Sequence, residues 1–115
     1  MTMQTMIRER RRITMTEGMR PRVLTAEELK ALPRLAIVFV EYYDGELRRA
    51  QETMLAAMKC GDGTLVDEDA CVYTNFEQDM KPSRFDGSFW RFWSGMPDEK
   101  LRKDTRWVSE DEMGR

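Results

Sequence analysis

The chain has 115 residues, of which 41% are hydrophobic and 35% charged, with a formal net charge of −2. That is enough for one domain with one modest core, and no apolar run approaches the roughly 20 residues of a membrane-spanning helix. Histidine is absent, which removes the commonest general base, the usual Ser and Cys triads and most zinc sites.

Residues 1–18, MTMQTMIRERRRITMTEG, are rich in Met, Thr and Arg and have little apolar periodicity. They read as a flexible arm ahead of a globular domain at 19–107. The short piece RRITMTE does alternate, Ile13 and Met15 against Thr14 and Thr16, as an edge strand would. The basic run RERRR has no apolar stretch behind it, so it is not a secretory signal. It is a poor electrostatic footprint for nucleic acid on an otherwise acidic chain, and direct nucleic-acid binding is the weakest partner reading.

At LTAEELKALP, Thr25 and Glu28 have the spacing of a capping box, and Leu24 and Leu29 that of a hydrophobic staple. Pro33 stops the helix. Leu29 and Leu32 are its expected inward residues. The run RLAIVFVEYY then predicts a strand over 35–43. It puts Ile37, Phe39 and Glu41 on one face and Ala36, Val38 and Val40 on the other. The Asp44-Gly45 pair predicts a type I′ hairpin turn, with the partner strand starting at Glu46. Within 46–59, Leu47, Ala50, Met54, Leu55 and Met58 have helical spacing. The turn signals on both sides favour a strand instead.

Asp62-Gly63 marks a second turn, and TLV and ACVYTNF are short strand-like runs around it. EQDMKPSRFDGS is a polar loop. FWRFW is the last strand, and Asp98 is the N-cap of a short helix carrying Leu101 toward Trp107. Residues 108–115 form an acidic tail. These elements predict an α+β fold: a small curled antiparallel sheet or SH3-like partial barrel, with a short capped N-terminal helix and a short C-terminal helix. Ile37, Val38, Phe39, Trp90 and Phe92 are the expected core.

Candidate chemistry is thin. Cys60 and Cys71 are not in a C-x-x-C arrangement, and without an export signal they read as reduced thiols. DEDA with Glu77 and Asp79 lacks calcium-loop spacing, and no phosphate-binding glycine motif occurs. No metal, cofactor or catalytic residue is therefore expected. Two surfaces remain as binding candidates. Trp90, Arg91, Trp93 and Trp107 are anchor-type residues near the C-terminus. Asp67, Glu68, Asp69, Glu77 and Asp79 offer an acidic surface able to compete with phosphate for a basic groove.

The capped L-T-x-E-E-L helix from Leu24 to Leu29, the W-R-x-W strand from Trp90 to Trp93, the helix after Pro97 and the closing Trp107 resemble small proteins of phages and conjugative elements of gut bacteria. The likeness spans 19–107 in outline and leaves 50–85 unaligned. It implies a mobile-element origin, a bacterial cytoplasm and a small β-rich fold, and it implies no substrate. The resulting expectation is a non-catalytic protein-binding module. The alternative is an anti-CRISPR-like inhibitor of a host defence or nucleic-acid-processing complex, acting through the acidic surface.

Overall fold

The computed structural model describes residues 20–108. The arm at 1–18, its alternating RRITMTE piece and the acidic tail from 109 onward lie outside the described residues. In chain order the elements are α1 (Ala26–Ala31), β1 (Ile37–Asp44), β2 (Arg49–Ala50), β3 (Leu55–Lys59), β4 (Leu65–Asp67), β5 (Val72–Tyr73), α2 (Phe76–Asp79), β6 (Phe89–Trp93) and α3 (Glu99–Asp104). The architecture is the expected α+β fold with a curled antiparallel sheet.

β1 is the central strand. One of its sides pairs with β3 from Ile37↔Met58 to Val40↔Leu55, then with β2 at Tyr43↔Ala50. Its other side pairs with β6 from Phe39↔Trp93 to Tyr43↔Phe89. β4 extends the sheet from β3, and β5 from β4. Residues 22–24 cover the far side of β6, where the Leu24 N–H donates to the Phe92 carbonyl at 2.8 Å. Within residues 46–59, Arg49–Ala50 and Leu55–Lys59 are strands, as the flanking turns indicated.

The inner face of the sheet carries the core. Leu24, Leu29 and Leu32 from the α1 region pack with Val38, Val40, Leu65, Tyr73, Phe76, Met80 and Phe92. The capping box forms as expected: Thr25 Oγ1 accepts from the Glu28 N–H and Glu28 Oε1 from the Thr25 N–H. The other end of α1 is closed by a residue the sequence reading passed over. Lys59 is buried and points inward, and its Nζ donates to the carbonyls of Leu29, Lys30 and Leu32 at 2.6, 3.0 and 3.3 Å. The ammonium supplies donors that the last helical turn lacks and sits at the negative end of the helix dipole. Burial pulls its pKa below the ordinary 10.5.

Two expectations are corrected. Ile37 is 37% exposed and Phe39 is half-buried, because the odd-numbered residues of β1 face outward. Val38 and Phe92 are buried as expected, and Trp90 lies half-buried at the margin of the core. The Asp44-Gly45 hairpin forms, but its turn has four residues, 45–48, and its positive φ, +55°, falls on Arg48. The partner strand accordingly starts at Arg49 and not at Glu46. Gly45 is needed for another reason: a Cβ there would stand 1.9 Å from the Asp86 carbonyl oxygen. At the second turn the expected glycine geometry is present, with Gly63 at φ +91°.

Candidate functional site

The outer face of the sheet divides into a covered half and an open half. Glu41 is the centre of the covered half. It lies on β1 with only 1% of its surface exposed, directly opposite Arg91 of β6. Its Oε1 accepts from Arg91 Nε at 2.6 Å and from Trp93 Nε1 at 2.8 Å, and its Oε2 accepts from Arg102 Nε of α3. The rest of the Arg91 guanidinium donates to the Thr105 and Arg102 carbonyls at the end of α3, both at 3.0 Å. Arg102 in turn reaches the Gln51 and Glu52 carbonyls. The Trp107 ring lies over the Arg91 guanidinium at 3.9 Å and meets Tyr43 and Phe89 at 5.3 Å.

This is a clasp that fastens α3 to the sheet. Two arginines face one carboxylate, and the extra positive charge is met by carbonyls at the negative end of a helix. Burial pulls the Arg91 guanidinium below its ordinary value, and the bond to Glu41 opposes that. Both oxygens of Glu41 are thus engaged, by three donors in all.

The clasp decides the fate of the sequence-predicted aromatic and arginine residues. Arg91 and Trp93 are 3% and 1% exposed, so they are interior groups and not an exposed patch. Trp107 joins them on the outer face and is half-buried. Trp90 points to the opposite face, against Tyr42 at 4.4 Å and Tyr73 at 5.3 Å. Strand alternation requires this split, because 90 and 91 are neighbours in β6.

The acidic residues are scattered among structural tasks. Asp67 is buried. Its Oδ1 accepts from the Asp69 and Cys71 N–H groups, and its Oδ2 from the Tyr73 hydroxyl at 2.7 Å. It organises the β4–β5 turn, where Ala70 sits at φ +65°. Burial and this carboxylate push the Tyr73 hydroxyl far above its ordinary value. Glu68 accepts from the Ala56 N–H at 2.7 Å, and Glu77 pairs with Lys30 of α1. Asp69 is exposed. No cluster of three or more His, Cys, Asp or Glu among the described residues is placed to hold a metal ion. Cys60 and Cys71 are free thiols.

Asp79 is half-buried, and its Oδ2 has no hydrogen-bond partner among the described residues. Burial pushes its carboxyl above the ordinary 3.8. A raised value means that the folded chain holds this proton more tightly than the unfolded chain does. The resulting stability is fully present below pH 3.8 and is lost as the pH rises through the raised value. Asp79→Asn is therefore expected to raise the melting temperature at pH 7, and the difference from wild type is expected to vanish by about pH 3. A variant that melts lower at both pH values would contradict this assignment.

The open half of the outer face lies on β1, β3, β4 and β5. Register aligns Ile37 with Met58, Met58 with Val66 and Val66 with Val72. These four side chains form one row across four strands. Met58 is 40% exposed and Val72 56%, and Val66 is half-buried. Phe39 and Ala56 form the adjacent pair. No charged side chain stands in the row from Ile37 to Val72, although charged residues make up 35% of the chain; Glu68 borders the adjacent pair through its bond to the Ala56 N–H. Just before β1, Leu35 is 59% exposed and held at φ +74°, a conformation costly for a branched side chain. The sequence reading missed this surface because it placed Ile37 and Phe39 inside. A comparison with protein-family models, curated proteins and solved structures finds no match to this chain.

Proposed function

We propose that this chain is a non-catalytic protein-binding domain whose docking surface is the open half of the outer sheet face. The observation that carries the reading is the uncharged row of Ile37, Met58, Val66 and Val72 left uncovered beside the clasped α3. Depletion of charge with exposed aliphatic surface is the composition of an interface centre. Leu35 supports the same reading. A strained, exposed leucine adds little to the chain's own core, so its side chain has a use outside it. The mobile-element resemblance makes a bacterial cytoplasmic protein the partner of choice. The acidic-surface inhibitor reading has less support, because Asp67 and Glu68 are engaged in the β4–β5 turn and Glu77 is paired with Lys30.

A photo-reactive residue placed at position 58 or 72 tests this. Irradiation in a host lysate is expected to give the same covalent adduct from both positions. The same residue at position 100, an exposed site on α3, is expected to give none. Adducts from position 100 alone would overturn the reading.

A further inference from the structure

We propose that the chain forms a transient end-to-end dimer, in which Phe85 of each copy enters the groove between the β1–β2 hairpin and α3 of the other. Phe85 is 99% exposed, more than any other large hydrophobic residue among those described. The turn that carries it is held by several hydrogen bonds. The Ser83 N–H donates to the Ser88 carbonyl at 2.8 Å, the Gly87 N–H to the Ser83 carbonyl at 2.9 Å and the Phe85 N–H to Ser83 Oγ at 3.1 Å. The Gly45 N–H donates to Ser88 Oγ at 2.9 Å, which ties the turn to the β1–β2 hairpin. A ring presented on a preformed turn loses little conformational freedom on docking.

The groove has a volume of about 860 Å³, within the range of sites that hold ligands. Met54, Met96 and Trp107 give it apolar lining, and Arg48, Arg49 and Glu52 line it as well. Methionine side chains adapt to the shape of an incoming ring and make favourable sulfur–aromatic contacts. The groove is separate from the row that runs from Ile37 to Val72, which crosses β1 at its opposite end.

Charge complementarity selects a second copy as the occupant. Arg84 and Asp86 flank the ring. Arg84 is exposed, and its guanidinium forms no hydrogen bond or ion pair with a described residue. The same holds for the side chains of Arg48, Arg49 and Glu52. A docked Phe85 therefore brings a cation and an anion to a groove that holds Glu52 for the one and Arg48 and Arg49 for the other. The turn and the groove share one end of the molecule, because Gly45 lies against Asp86 and Arg48 follows three residues later. Two copies that meet end to end about a two-fold axis exchange both rings at once, which closes the assembly at two. The two rings supply roughly 300–500 Å² of buried surface, below the roughly 1,200 Å² of a lasting complex, so the dimer is transient.

Sedimentation of the full chain at rising concentration tests this. The weight-average mass is expected to climb toward twice that of the monomer by about 1 mM and to level there. Phe85→Ala is expected to keep the wild-type melting temperature, since the ring is all but fully exposed in the monomer. It is expected to weaken dimerisation about tenfold or more. Arg84→Glu and Glu52→Arg are each expected to weaken it, and the two together to restore it, since the exchanged charges meet again across the contact. A wild-type chain still monomeric at about 1 mM would overturn the proposal, as would a mass that grows past the dimer. Association that survives Phe85→Ala and is lost in Met58→Glu would overturn it too, by placing the contact on the apolar row. A monomeric chain whose Phe85→Ala variant loses capture of a different protein would assign the ring to that protein's pocket and overturn the second copy as occupant.

Discussion

Glu41→Gln is expected to lower the unfolding free energy by about 3–5 kcal/mol, the usual consequence of removing one partner of a buried ion pair. The glutamine keeps the size and one carbonyl oxygen, so Trp93 Nε1 can still find an acceptor. The new amide puts a donor against a guanidinium that is itself only a donor. Arg91, 3% exposed, then has no counter-charge, and α3 loses its fastening through Arg102. For a domain whose whole stability is on the order of 5–15 kcal/mol, this is a large fraction. Urea unfolding measures it. The double variant Glu41→Leu with Arg91→Met is expected to recover part of the loss, because replacing a buried pair by apolar groups is far less harmful than orphaning one charge. A loss below about 1 kcal/mol for Glu41→Gln would mean that the network is solvated.

Phe92→Ala is expected to cost about 3–5 kcal/mol as well, by a different mechanism. The ring is fully buried between Tyr73 and Phe76, with centroids at 5.5 and 6.1 Å. Its removal leaves a cavity among rigid strands that cannot close around it. Phe39→Ala, on the half-buried outer face, is expected to cost only ~1–2 kcal/mol. Comparing the two melting curves checks the parity of β1. A Phe39→Ala loss equal to that of Phe92→Ala would place the core on the wrong side of the strand.

The elements were legible where one local signal dominates. The capping box at Thr25 and Glu28, the N-cap at Asp98 and the hairpin at Asp44-Gly45 each rest on a few adjacent residues, and each is present. The strand character of 49–50 and 55–59 was legible through the turns on both sides, against a helical spacing of apolar residues. The choice of faces was harder. From 36 to 40, every residue at and just before the start of β1 is apolar, so alternation of hydrophobicity carries no information there, and a shift of one residue exchanges the two faces. Glu41 marked the odd-numbered face as the polar one. That signal is ambiguous too, because Glu41 is buried by partners 50 to 61 residues away. The same distance hides the role of Arg91, which in sequence is one cation among aromatic rings. Lys59 is hidden for the same reason: it caps a helix that lies some 30 positions earlier in the chain. The exposed row from Ile37 to Val72 is a property of register between four strands, and no single stretch of sequence contains it.

The most direct measurement of the central claim is partner capture by the Met58→Glu variant, alongside its melting temperature. Met58 is 40% exposed and faces away from the core, so the charge is expected to leave the melting temperature within a few degrees of wild type. The same charge falls in the middle of the apolar row, where a docked partner would bury it without a counter-ion. The account predicts a folded protein that no longer captures its partner. Wild-type capture by folded Met58→Glu protein would contradict it.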